Sequence, residues 1–140
     1  MTTARAWLGF IVVFVTMCVL EAVVHMGLLT DDYQATAQLW RPMGEMKIFI
    51  FYIVYFVVAF FFTLVFSRCY EGRGPMEGLR YGLYMGLMMA TPKAYIAYAV
   101  APIPYSLALK WFISGLTEYI VLGIVLALIF GRTAMASKKR

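Results

Sequence analysis

The sequence predicts an all-α integral membrane protein: a four-helix bundle, N-in/C-in, with a short amphipathic surface helix between spans one and two. Its 140 residues are 64% hydrophobic and only 14% charged, against about 25% charge in an ordinary soluble domain. So short a chain has too little interior to hide that much apolar side chain from water, so its solvent must be largely lipid. The apolar residues form continuous runs, whereas a membrane β-barrel shows short alternating segments. Lipid cannot satisfy unpaired backbone groups, so each run must be a helix.

The single membrane domain, residues 1–140, reads as spans at about 7–29, 46–67, 76–100 and 105–130, each near the roughly 20 residues a bilayer requires. The first runs from Trp7 to Leu29, too long for the apolar core of a signal peptide, and is expected to be a retained membrane helix. The loop Thr30–Glu45 contains TDDYQATAQLW. Thr30 suits a helix cap, Asp31 and Asp32 suit a helix N-terminus, and Trp40 suits an interface, so a short surface helix is expected. The second span, IFIFYIVYFVVAFFFTLVF at its core, has no charge. Pro75 suits the first turn of the third helix, and Pro102 and Pro104 break the chain before the fourth.

Charge sets the orientation. Arg5, Arg68, Arg73, Arg80, Arg132, Lys138, Lys139 and Arg140 flank the spans on one side; Arg41, Lys47 and Lys110 lie on the other, beside Asp31, Asp32 and Glu45. The positive-inside rule then puts both termini in the cytoplasm, in a cell inner membrane. The net charge of +5 is spread over span ends, so the expected partner is the lipid bilayer, with no nucleic acid. Trp7, Trp40 and Trp111 fall near span ends, as an aromatic belt requires.

Gly78, Gly82 and Gly86 make a bare stripe at i, i+4 and i+8 on span three, and Gly115 and Gly123 give span four a weaker one. Such stripes let two backbones approach in lipid, where close packing supplies the attraction. Packing within the bundle is the first expectation, a homodimer or membrane-complex partner the second. Met85, Met88 and Met89 read as core filling rather than a Cu(I) site. Cys18 and Cys69 read as free thiols.

Polar residues within the spans carry the functional question. A rise of ~1.5 Å per residue puts Glu21 about 21 Å from the cytoplasmic end of span one, Lys93 about 22 Å along span three and Glu118 about 18 Å along span four. His25 stands one turn beyond Glu21 on the same helix face. Thr91, Thr117, Tyr95, Tyr98 and Tyr119 are near in depth. An unpaired charge at that level costs at least ~2.5 kcal/mol, so Glu21, Lys93 and Glu118 are expected to face inward and meet. Pro92 is expected to kink the helix beside Lys93. One carboxylate pairs with Lys93; the other lacks a full partner and suits a proton carrier or cation ligand, with His25 as a relay. The same cluster also reads as a structural lock on helix register.

Enzymatic chemistry finds little support. Glu21 and His25 are spaced i, i+4, whereas carboxylate-bridged di-iron helices use Glu-x-x-His. The single histidine gives no zinc-protease helix, and no phosphate-binding loop or serine elbow is present. No cofactor and no metal are expected, although two copies of His25, or a His–Met pair, leave haem ligation open across a dimer.

The span-one glutamate and Leu39-Trp-Arg-Pro42 resemble the small multidrug resistance transporters. That resemblance implies a first-helix glutamate exchanging protons for cationic drugs in an antiparallel dimer. Lys93, which repels a cation, and the one-sided Lys/Arg bias depart from that pattern. The layout is more similar to small four-helix bacterial membrane proteins, a likeness that implies a fold and no activity. The expectation is a non-enzymatic multi-pass protein whose Glu/Lys/His layer binds or relays a proton, an ion or a small polar ligand. The alternative is an accessory or assembly subunit whose layer is a structural lock.

Overall fold

The computed structural model describes residues 4–138, with side chains described as far as residue 131. Lys139 and Arg140, and the side chains of Arg132 and Lys138, all counted in the basic cluster above, lie outside the described residues. The described chain is helical, with no strand: α1 (Ala4–Val23), a π-helical turn (Val24–Leu28), α2 (Thr30–Ala35), 3-10 turns at Ala37–Leu39 and Met43–Glu45, α3 (Ile48–Cys69), α4 (Pro75–Val100) and α5 (Tyr105–Lys138). Among the described residues, three helices are long and apolar enough to cross a membrane: Ala4–Leu28, Ile48–Cys69 and Tyr105–Gly131. The sequence predicts a fourth at about 76–100. That segment is a 26-residue helix, but its glycines, Glu77, Arg80 and Lys93 dilute its apolar character.

Neighbouring helices run antiparallel, with α1 packed on α3 and α5, and α4 packed on α5. α1 buries Ala6, Phe10, Val13 and Met17, one stripe at helical spacing. Phe10 meets the edge of Phe56 at 5.0 Å between centroids, and Phe66 meets Phe130 at 5.5 Å. Phe62 and Phe66 are fully buried beside Tyr81, whose hydroxyl donates to the Phe62 carbonyl at 2.6 Å. Away from this contact α3 exposes Phe49, Phe51 and Phe61, as a lipid-facing helix would.

The tightest seam joins α4 and α5. Gly78, Gly82 and Gly86 are all buried, and a Cβ at Gly78 would overlap the Gly123 carbonyl, one at Gly82 the Tyr119 carbonyl. Ala90 and Ala94 continue the stripe, with Ala90 facing Gly115. The glycines are thus spent inside the chain, and this stripe is not a free dimer face. α4 runs unbroken through Pro92. At its start Glu77 accepts from the backbone N–H groups of Glu71 and Arg73, at 2.6 and 2.8 Å, tying down the α3–α4 loop. Met85 packs on the core, but Met88 and Met89 are exposed and fill nothing. Cys18 and Cys69 are free.

The α1–α3 connection holds a short helix where the sequence predicts one, with Asp31 and Asp32 in its first turn. α2 has only six residues, and the segment folds down over the α4–α5 turn. Leu29, Ile103, Leu107 and Ala108 form a second small core there, covered by Tyr33, Leu39, Trp40 and Trp111. Trp40 and Trp111 are therefore half-buried packing residues, while Trp7 remains exposed. Thr30 does not cap: its hydroxyl donates back to the Met26 carbonyl at 2.8 Å. Lys110 bonds both carboxylate oxygens of Asp32, at 2.8 and 2.7 Å, and pins α2 to the first turns of α5.

Candidate functional site

The polar layer lies where α1 changes from α to π geometry. The Leu29 N–H donates to the Val24 carbonyl at 2.9 Å, five residues back. π-Turns recur at functional sites because they re-aim side chains that a regular helix would stack. Here the turn carries His25. Its Nε2 lies 2.7 Å from Glu21 Oε2, while its Nδ1 lies 2.5 Å from the Tyr33 hydroxyl. The His25 and Tyr33 rings stack at 5.7 Å.

Lys93 reaches Glu21 Oε1 from α4 at 3.1 Å. Its side chain is 50% exposed, so the ammonium approaches from the rim of the cluster. Trp111 on α5 donates its indole N–H to the Tyr33 oxygen at 2.9 Å. An indole N–H can only donate. The Glu21 carboxylate can only accept, so a neutral His25 donates to it and takes the Tyr33 hydroxyl proton at Nδ1. That assigns the neutral imidazole its proton on Nε2, facing the Glu21 carboxylate. The hydrogen bonds run in one direction, from Trp111 through Tyr33 and His25 to Glu21. Burial pushes the Tyr33 phenol up to about 12, so its hydroxyl keeps its proton at neutral pH.

Glu118 is placed differently from its neighbours. Its side chain comes from α5 and is only 8% exposed, and its Oε1 has no hydrogen-bond partner. It borders an opening of about 10 Å³ with Glu21, Val24, His25, Lys93, Trp111, Ser114 and Gly115. That space admits about one water. The four residues singled out in the sequence thus line one opening. Glu21 bonds Lys93 and His25, and Glu118 stands beside them with an orphan oxygen.

Among residues named for depth, Thr91 and Thr117 are exposed, and Thr117 donates to the Ile113 carbonyl at 2.8 Å. Tyr95 and Tyr98 pack against Tyr105, and Tyr119 joins the core with Phe62. Tyr33, Trp111, Ser114 and Tyr55 were missed. Tyr55 of α3 faces both carboxylates. A signal existed for it, since a tyrosine hydroxyl in an uncharged apolar run needs a polar partner. Tyr33 and Trp111 had none, because they read equally well as loop and belt residues.

Tyr33→Phe is expected to strand the Trp111 donor and release His25 Nδ1. Stability should fall by about 1–2 kcal/mol. Nitrogen-15 NMR should show the His25 Nδ1 resonance move on loss of its donor while Nε2–H, held by Glu21, persists; an unmoved Nδ1 signal would mean that Tyr33 does not bond it.

Among the described residues no group of three or more His, Cys, Asp or Glu side chains is arranged to hold a metal ion. No protein-family model, curated protein or solved structure matches the chain, so the reading of this cluster rests on its own geometry.

Proposed function

We propose that this chain is a four-span, non-enzymatic membrane protein whose Glu21, His25, Lys93 and Glu118 layer binds or relays a proton, an ion or a small polar ligand. The orphan oxygen of buried Glu118, beside a water-sized opening, carries this reading. A buried polar atom without a partner is costly, and ionisable residues inside a membrane are kept chiefly where they serve a pathway or a site. α4 acts as the fourth span: it lies against α5 along its length, and its one deep charge is paired with Glu21. Arg5, Arg68, Arg73 and Arg80 gather at the ends of α1, α3 and α4 that lie on one side of the fold, which supports cytoplasmic termini in a cell inner membrane.

A second reading has its own support. Lys93, Glu21, His25, Tyr33 and Trp111 already satisfy one another, as a structural lock in an accessory subunit would. Reconstituted liposomes containing a pH-sensitive dye separate the two. The site reading expects Glu118→Gln to keep the melting profile and lose uptake. The lock reading expects Glu118→Gln to lose stability, and a second polypeptide to co-purify in native mass spectrometry.

A further inference from the structure

We infer that the opening beside Glu118 is a site for one exchangeable proton, held by Glu118 and passed through a single bridging water to Glu21. This rests on the reading of the layer as a site and narrows its ligand. An anion would face two carboxylates, Glu21 and Glu118. A small organic ligand needs a pocket of some hundreds of Å³, and this one has about 10 Å³.

A hard metal cation takes about six oxygen ligands or more. The lining cannot supply them. Glu21 already serves Lys93 with one oxygen and His25 with the other, and both His25 nitrogens are engaged. The Ser114 hydroxyl donates to the Lys110 carbonyl at 2.7 Å and keeps only its acceptor lone pairs. Glu118, Ser114 and the remaining lone pairs of Glu21 are the acceptor capacity left, and with no room for several waters they fall short of such a shell.

The charges around Glu118 lead to the same ligand. α1 brings Glu21 and Cys18, the π-turn His25, α3 Tyr55 and α4 Lys93. Lys93 and Glu21 offset each other, which leaves the Glu118 carboxylate as the one uncompensated charge of the group. A single proton neutralises it. Transfer balances without any other reactant: the Glu118 O–H bond breaks as a bond to the water oxygen forms, and the water gives one of its own protons to Glu21. A carboxylate has about four lone-pair sites, so Glu21 can accept while holding both partners.

Infrared difference spectroscopy of the full chain in lipid nanodiscs tests this, with protons and sodium as the probes. At neutral pH a protonated-carboxyl stretch is expected. It should vanish at alkaline pH, be lost in Glu118→Gln, shift in Glu118→Asp, and stay unchanged when sodium replaces a bulky organic cation. Absence of the band from the wild type, its persistence in Glu118→Gln, or its removal by sodium at fixed pH would overturn the assignment. If Glu118→Gln does not fold, the Asp shift and the sodium comparison decide. Lost uptake in Glu118→Gln without a carboxyl band would keep Glu118 on the uptake pathway but overturn its assignment as the group that holds the proton. A proper band with undiminished uptake in Glu118→Gln would sink the transport reading instead.

Discussion

Gly82→Leu is expected to abolish the folded monomer. A Cβ at that position would stand 2.7 Å from Ile120 Cα and 2.9 Å from the Tyr119 carbonyl carbon, besides overlapping the Tyr119 oxygen. These are backbone atoms of a packed helix and cannot swing aside as a side-chain tip can. The only relief is to separate α4 from α5, which forfeits the dispersion contacts of the longest seam in the fold. Gly82→Ala is the milder form, with a cost of about 1–3 kcal/mol from overpacking.

The graded series makes the claim sharp. Gly78 should be as sensitive as Gly82, because its Cβ would overlap the Gly123 carbonyl. Gly86 should be less so, since the nearest atom is the mobile Leu116 Cδ1 at 2.9 Å. Gly115 should tolerate alanine best among them, against Ala90 Cβ at 3.1 Å, and Gly44, with nothing within 4 Å, is the neutral control. Size-exclusion profiles and unfolding in mixed micelles give the order. A folded Gly82→Leu protein would show that the seam is looser than described.

The second large effect is expected from Glu21→Ala. One substitution removes the carboxylate that faces both Lys93 at 3.1 Å and His25 at 2.7 Å. An ammonium left unpaired at membrane depth costs at least ~2.5 kcal/mol on insertion scales, less whatever its flexible stem recovers by reaching toward the interface. Glu21→Ala combined with Lys93→Met should recover much of the loss, with a coupling of about 1–3 kcal/mol in a double-mutant cycle. Strictly additive effects would mean that the pair contributes nothing to the native state.

The helices were legible because lipid imposes a coarse rule. Uncharged runs such as IFIFYIVYFVV have to be helical, and the proline and glycine punctuation at Gly74-Pro75 and Pro102–Pro104 marks the ends to within a few residues. Glu21, His25, Lys93 and Glu118 were legible as a layer for a related reason, since the helix rise converts residue number into depth. Depth does not give azimuth. It could not show that Thr91 and Thr117 point outward, nor that Lys93 stops at Glu21 and leaves Glu118 alone. The loop was hardest to read: TDDYQATAQLW carries both surface-helix signals and the aromatic residues of a packed cap.

Composition and linear order alone thus settled an all-helical chain built around long apolar helices, with a polar band at one level of them. These properties follow from one-dimensional quantities, hydropathy and rise per residue. Three further properties came from the folded chain: which helix uses the glycine stripe, where Tyr33 and Trp111 sit, and which carboxylate goes unpaired. Each depends on the rotation of one helix against another, and that rotation is set by how closely two backbones can approach. The stripe from Gly78 to Ala94 presses α4 onto α5, and this contact brings Lys93 and Glu118 to the opening they share with Glu21.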